Sequence, residues 1–127
     1  MMKIAILGYG KMGKVIEEIA LQRGHSIELK VNQTNLDFDI ELLSACDVAI
    51  EFSSPESAVE NISKCFDANV PVVVGTTGWY AEFNAVQERC ISENKGLLYA
   101  TNFSVGVNIF YEINKKLAAL MDANSQY

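Results

Sequence analysis

The chain has 127 residues, of which 50% are hydrophobic and 20% charged, so it is long enough for one domain and too apolar to be disordered. Its formal net charge of −6 argues against a nucleic-acid surface, which needs clustered Lys and Arg. The sequence shows neither a signal peptide nor a run of roughly 18 apolar residues that could cross a membrane, so we expect a cytoplasmic location. Cys46, Cys65 and Cys90 are far apart and odd in number, and we expect them to be reduced.

Short apolar segments alternate along the chain with segments of helical periodicity. The apolar segments predict strands near residues 4–7, 27–31, 48–52, 72–74 and 97–100. Helical spacing of apolar residues predicts a helix after every strand except the second, which is followed only by a short helical turn. This alternation predicts an α/β fold with a parallel sheet, right-handed crossovers and helices on both faces.

The strand order follows from the weak connection between the second and third strands. Because that connection is too thin for a full crossover helix, we place the third strand on the other side of the first. The prediction is a Rossmann-like, doubly wound sheet of order 2-1-3-4-5. Its topological switch point then lies at the C-terminal ends of strands one and three.

A glycine-rich loop follows the first strand. Gly8, Gly10 and Gly13 fit the pattern G-x-G-x-x-G, with Lys11 and Met12 between the last two glycines. Such glycines allow a tight turn, close approach of the backbone to a pyrophosphate, and close packing of helix on strand. The motif lies between a predicted strand and a predicted helix, as dinucleotide binding requires. Lys11 either faces the phosphates or is a solvated surface lysine.

The end of the second strand bears on the choice of cofactor. A carboxylate at that position would bind the ribose diol of NAD, and an Arg would bind the 2′-phosphate of NADP. This sequence has Asn32 and Gln33 there, which neither repel nor strongly grip a phosphate. Lys30 is near, but it alternates away from Leu29 and Val31. The cofactor is therefore left as NADPH or NADH.

Three further loops leave the C-terminal ends of predicted strands and are rich in hydroxyl and amide groups. These groups suit a ribose or a carboxamide, although ordinary turns and helix caps use the same residue types. The candidate cofactor-binding residues in them are Phe52, Ser53, Gly75, Thr76, Thr77, Asn102, Phe103 and Ser104.

At these loops the chain resembles the dihydrodipicolinate reductase family. The resemblance rests on four motifs in order: G-K-M-G at 10–13, E-F-S-S-P at 51–55, V-V-G-T-T-G at 73–78 and N-F-S-V-G-V-N at 102–108. They span nearly the whole chain, and the last is far more specific than the first.

The resemblance implies that Gly75 and Thr77 hold the nicotinamide end of the cofactor and that residues 102–104 lie against the nicotinamide. It also implies a reductase of lysine and diaminopimelate biosynthesis, which transfers hydride from NADH or NADPH to the C=N bond of a cyclic dicarboxylate. The parent enzyme is expected to be a homo-oligomer.

The sequence departs from the family in lacking the histidine- and lysine-containing segment of its substrate domain. The one histidine, His25, lies at the start of the second strand, and the sequence shows no catalytic constellation and no metal-ligand cluster. We therefore expect residues 1–127 to form the dinucleotide-binding domain, with a final helix from about residue 107 leading toward a substrate domain outside this sequence. This fragment is expected to bind dinucleotide without turnover.

Other functions share parts of this pattern. A non-catalytic NAD-binding regulatory module needs the glycine loop but not the two loops at the nicotinamide end. A methyltransferase that uses S-adenosylmethionine usually has an acid where Asn32 stands. Another two-domain dehydrogenase, of the homoserine or aspartate-semialdehyde type, shares the fold and the first loop, but the N-F-S-V-G-V-N motif is not expected in it.

Overall fold

The computed structural model describes residues 1–32, 34–35 and 37–124. The strands are β1 Lys3–Leu7, β2 Ser26–Val31, β3 Val48–Glu51, β4 Val72–Val74 and β5 Leu97–Tyr99. The helices are α1 Lys11–Gln22, α2 Ile40–Ser44, α3 Pro55–Asp67, α4 Phe83–Ser92 and α5 Val105–Asp122, with a short 3-10 turn at Tyr80–Glu82.

The strands form one parallel sheet of order β2-β1-β3-β4-β5, which confirms the predicted topology. The helix between β2 and β3 has only five residues, as the thin connection indicated. Leu7 at the end of β1 pairs with Val31 on one side and Glu51 on the other, and Glu51 pairs with Val74. The carboxyl ends of these four strands therefore meet at one edge of the sheet.

One face of the sheet lies under α2, α3 and α4 and carries the larger core. The helix α3 contributes most to it, because apolar residues recur along one side of that helix at helical spacing. Asn61 interrupts this apolar side and is 3% exposed. The fully buried members on α3 are Ala58, Ile62, Cys65 and Phe66.

The opposite face carries a smaller core around Ile4, Ile6 and Ala20, which is covered by α1. Small residues make this contact close: a Cβ atom on Gly13 would lie 2.5 Å from the carbonyl oxygen of Gly8. The cover does not extend to the other edge of the sheet, where Leu98 of β5 is 58% exposed. Ile16 of α1 packs against this core, whereas three other apolar side chains of the helix stay more exposed: Met12, Val15 and Ile19.

The final helix, α5, begins at Val105, two residues before the predicted start. The reason is a cap, because the side-chain oxygen of Ser104 accepts a hydrogen bond from the backbone N–H of Val107. Within α5, which is described throughout, no residue is buried. Most of its larger apolar side chains are at least half exposed, among them Ile109, Phe110, Ile113, Leu117, Leu120 and Met121, while Val107 is half-buried.

The three cysteines form no disulfide with one another. Cys46 and Cys65 are buried and Cys90 is half-buried. Burial, with a smaller contribution from the negative charge of Glu51, raises the pKa of the Cys65 thiol to about 12. No helix within the described residues has the length and apolar character needed to span a membrane.

Candidate functional site

A cleft of about 640 Å³ opens at the carboxyl edge of β1, β2 and β3, within the size range of small-molecule sites. It lies at the topological switch point, where doubly wound folds place their ligands. Its described lining contains no carboxylate, so the acidic surface of the protein does not extend into it. The lining residues are Gly8, Tyr9, Gly10, Val31, Asn32, Thr34, Phe52, Ser53, Ser54, Ser57 and Asn61.

The first glycine of the loop, Gly8, lets two chain segments cross in close contact. Its φ is +104°, a conformation that L side chains rarely adopt, and a Cβ atom there would lie 2.1 Å from the carbonyl oxygen of Phe52. The backbone N–H groups of Gly8 and Tyr9 both donate to the carbonyl oxygen of Val31, at 2.9 and 2.6 Å. The glycine loop is thus attached to both β2 and the segment after β3.

The second glycine, Gly10, faces open space instead. A Cβ atom on Gly10 would have no heavy atom of the described structure within 4 Å. Gly10 is also the N-cap of α1, and no side chain among the described residues caps the helix there. The first N–H groups of α1, next to the exposed residues Lys11 and Met12, therefore remain available at the positive end of the helix dipole. This arrangement suits a diphosphate.

Ser53, just after β3, is held by a buried polar network. Its backbone N–H donates to Thr76 Oγ1 at 2.8 Å and to Glu51 Oε1 at 3.1 Å, and its hydroxyl donates to the same carboxylate oxygen. The amide of Asn61 donates to Glu51 Oε1 at 3.4 Å and to Ser53 Oγ at 3.2 Å. Glu51 is fully buried, and its Oε2 has no hydrogen-bond partner within the described part of the chain. These contacts fix the floor of the cleft.

Replacing Thr76 with valine is expected to lower the free energy of unfolding by about 1 kcal/mol. Valine keeps the shape of this 7% exposed side chain but removes the oxygen that accepts from the N–H of Ser53. Thr77→Val is the matched control, because Thr77 is the exposed neighbour. Urea denaturation monitored by circular dichroism measures both, and equal values for the two variants would contradict the role assigned to Thr76.

The segment after β2 forms a polar turn at the far end of the cleft. Asn32 Oδ1 accepts from the backbone N–H and the hydroxyl of Thr34, at 2.8 and 2.6 Å. The backbone N–H of Asn32 donates to Asn35 Oδ1 at 2.6 Å. The side-chain oxygen of Asn32 is thus engaged within the turn. Gln33, the other residue singled out here, lies outside the described residues.

Two of the predicted nicotinamide-end loops meet through the ring of Phe52. The Cζ atom of Phe52 lies 2.0 Å from where a Cβ atom of Gly75 would be, so only glycine allows the ring this position. The ring centroid lies 6.3 Å from that of Phe103. Within the loop after β4, the carbonyl oxygen of Thr76 accepts a hydrogen bond from the indole N–H of Trp79 at 2.9 Å.

The N-F-S-V-G-V-N motif builds the start of α5. Asn102 Oδ1 accepts from the backbone N–H of Ser104 at 2.7 Å. The side-chain amide of Asn108 donates to the carbonyl oxygens of Asn102 and Ser104, at 2.9 and 2.8 Å. The side chains of both asparagines therefore form hydrogen bonds within the segment and stabilise the start of α5.

The cleft thus brings together only part of the predicted site. Five candidates line it: Gly8, Gly10, Asn32, Phe52 and Ser53. The others flank it in α1, in the loop after β4 and in the loop before α5: Lys11, Met12, Gly13, Gly75, Thr76, Thr77, Asn102, Phe103 and Ser104. Their contact with a cofactor stays a prediction.

Sequence reasoning did not single out several polar residues of the lining. Asn61 had a visible signal, because it is a polar residue at an apolar position of α3. Tyr9 lies inside the glycine motif, so its place beside the cleft was visible in the sequence. Thr34 and Ser57 had no such signal, since only the folded chain brings them to the cleft. His25 lies at the opposite edge of the sheet, just before β2, and the described residues include no group of three metal-ligating side chains.

The profile of the family described as "Dihydrodipicolinate reductase, N-terminus" matches residues 2–103. A 4-hydroxy-tetrahydrodipicolinate reductase of Christiangramia forsetii is 45% identical over 126 residues, covering 99% of this chain and 52% of the relative. The enzyme of the same name from Neisseria gonorrhoeae is 29% identical, covering 95% of this chain and 53% of the relative. The chain therefore spans about half the length of these curated relatives.

Solved structures support the fold. A putative homoserine dehydrogenase from Archaeoglobus fulgidus has a TM-score of 0.60 at 20% identity, covering 78% of this chain and 42% of that chain. Aspartate semialdehyde dehydrogenase II from Vibrio cholerae has a TM-score of 0.56 at 15% identity, covering 80% and 38%. At these identities the likeness shows the Rossmann-like fold alone. The match to the family profile shows that the chain belongs to the dihydrodipicolinate reductase family, of which it matches the N-terminal part.

Proposed function

We propose that the nicotinamide dinucleotide cofactor implied by this family binds in the cleft at the carboxyl edge of the sheet. The observation that supports this most is the uncapped start of α1 at Gly10, beside a described cleft lining without carboxylates. Helix N–H groups and the helix dipole favour a diphosphate at such a position. The bound cofactor would supply a hydride from its nicotinamide ring.

The two halves of the cofactor would lie at opposite ends of the site. The ribose of the adenosine half would lie by the turn at Asn32 and Thr34, which offers amide and hydroxyl groups. The nicotinamide would lie toward Gly75 and Thr77 and the loop at 102–104, with Phe52 between these loops. Ser53 would keep its orientation through the Glu51 and Thr76 contacts, because both hold its backbone N–H.

We propose that the longer parent protein is a reductase of the cyclic dicarboxylate imine that the names of its relatives indicate, and that it acts in lysine and diaminopimelate biosynthesis. A dicarboxylate needs a cationic pocket, and this chain has a net charge of −6. We therefore propose that the residues that bind the dicarboxylate lie in the remainder of the parent protein. The exposed apolar face of α5 supports a second domain packing against it. The 127 residues alone would bind cofactor without reducing substrate, and measurable reductase turnover by them would contradict this part.

Calorimetric titration of the 127-residue chain with NADH and with NADPH tests the proposal. We expect saturable binding of both, since Asn32 neither repels nor pairs with a 2′-phosphate. Titration with ADP-ribose, which lacks the nicotinamide ring, separates the two ends. Weaker binding of ADP-ribose than of NADH is expected if the loops after β4 and β5 hold the nicotinamide. Absence of binding by NADH and NADPH alike would overturn the proposed function.

A further inference from the structure

Three side chains form a polar cluster at the rim of the cleft: Tyr9 from the glycine loop, Glu17 from α1 and Lys30 from β2. The Tyr9 hydroxyl donates a hydrogen bond to Glu17 Oε2, and the Lys30 ammonium lies 3.1 Å from Glu17 Oε1. The same ammonium lies 5.0 Å from the centroid of the Tyr9 ring, within cation–π distance. Tyr9 itself lines the cleft.

In this cluster the negative charge of Glu17 neutralises the positive charge of Lys30. The hydrogen bond from Tyr9, followed by that from Lys30, lowers the pKa of Glu17, and Glu17 in turn raises the pKa of Lys30. Both groups are therefore charged at neutral pH and cancel each other. The Glu17 side chain is 19% exposed and that of Lys30 45%, so the cation is open to solvent on one side.

The cluster lies near the end of β2, where it can affect the choice between NADH and NADPH. Dinucleotide-binding folds distinguish a ribose 2′-hydroxyl from a 2′-phosphate at the end of the second strand. Lys30 is the penultimate residue of β2, and the next two residues, Val31 and Asn32, line the cleft. Asn32 supplies no charge there, and its side-chain oxygen is engaged by Thr34. A cation that reaches this end would favour the 2′-phosphate.

We propose that Glu17 is a specificity-determining residue: by pairing with Lys30 it withholds that cation from a 2′-phosphate and so lowers the affinity for NADPH relative to NADH. This inference rests on the proposed dinucleotide site. Glu17 acts through Lys30 and contacts no part of the cofactor in this scheme. Tyr9 fixes the carboxylate by its own hydrogen bond, which leaves Lys30 a defined partner.

Calorimetric titration of Glu17→Gln with NADPH and NADH tests this proposal. The NADPH affinity is expected to rise about tenfold relative to NADH, because Lys30 loses its counter-charge and becomes available to the phosphate. NADH affinity should stay within about twofold of the unsubstituted chain, since NADH carries no 2′-phosphate. Glu18→Gln is the matched control: it removes the same charge from the next position of α1, where Glu18 accepts from Gln22 instead.

The double variant Glu17→Gln/Lys30→Gln tests whether Glu17 acts through Lys30 or only repels the phosphate by its own charge. If the rise in NADPH affinity seen in Glu17→Gln disappears in the double variant, the inference is supported. A gain that persists without Lys30, an equal gain in Glu18→Gln, or an unchanged cofactor ratio in Glu17→Gln would overturn it while leaving the proposed function intact. Failure of the unsubstituted chain to bind either dinucleotide would overturn both.

Discussion

Replacing Gly8 with alanine is expected to lower the free energy of unfolding by about 3 kcal/mol or more. Two penalties combine at this position. The backbone would have to hold an L side chain at a φ of +104°, and the new Cβ atom would meet the carbonyl oxygen of Phe52 at 2.1 Å. Backbone cannot move aside as a flexible side chain can, so the crossing of the two loops would have to open. Urea denaturation monitored by circular dichroism measures the loss.

Gly24→Ala is the matched control for this experiment. Gly24 also has a positive φ, of +78°, but a Cβ atom there would have no described heavy atom within 4 Å. Its substitution should therefore cost only the conformational strain, about 1 kcal/mol. Equal losses for Gly8→Ala and Gly24→Ala would show that the close approach to Phe52 is unimportant and would contradict the role assigned to Gly8.

Gly10→Ala is expected to weaken the binding of NADH and NADPH by about tenfold or more while changing stability by less than about 1 kcal/mol. The φ of Gly10 is negative, at −95°, so alanine would not be forced into the left-handed region, and the added methyl group would touch no described atom. The methyl group would instead occupy the space beside the first N–H groups of α1, where the diphosphate is proposed to lie. Calorimetric titration and urea denaturation of the same variant measure the two effects.

The Gly24→Ala variant also serves as the control for binding, because Gly24 lies beyond the other end of α1. It should bind both dinucleotides as the unsubstituted chain does. Unchanged affinity in folded Gly10→Ala would place the diphosphate away from the start of α1. Loss of stability in that variant would show instead that Gly10 is needed for the fold, which the open space around it argues against.

The strand order was predictable from the sequence because it depends on a local feature. A connection too short for a crossover helix cannot seat β3 beside β2, and the five-residue α2 confirms that reasoning. The glycine loop was equally local: Gly13 allows a contact with the carbonyl oxygen of Gly8, in the same loop, that any Cβ atom would prevent. Such features depend on residues that are close together in the sequence, so they can be predicted without knowing which distant segments meet.

The polar contacts that support the cleft were not predictable, because they join distant segments. Ser53 and Thr76 are 23 positions apart, and only the pairing of β3 with β4 brings them together. Lys30 shows a second reason. Strand alternation turns it away from Leu29 and Val31, as the sequence indicated, but its long side chain returns over the Tyr9 ring at the rim of the cleft. Alternation fixes where a side chain starts and not where a flexible one ends.

The exposure of α5 has a consequence for how the chain unfolds. Opening this helix would uncover little buried apolar surface, since none of its residues is buried. Its first turn contains no acid and its last turn no base, so the helix dipole adds no support. The helix therefore stands outside the cooperative unit formed by the sheet and α1–α4. The denaturant dependence of unfolding should accordingly reflect the surface buried by residues before α5 rather than the full length of the chain.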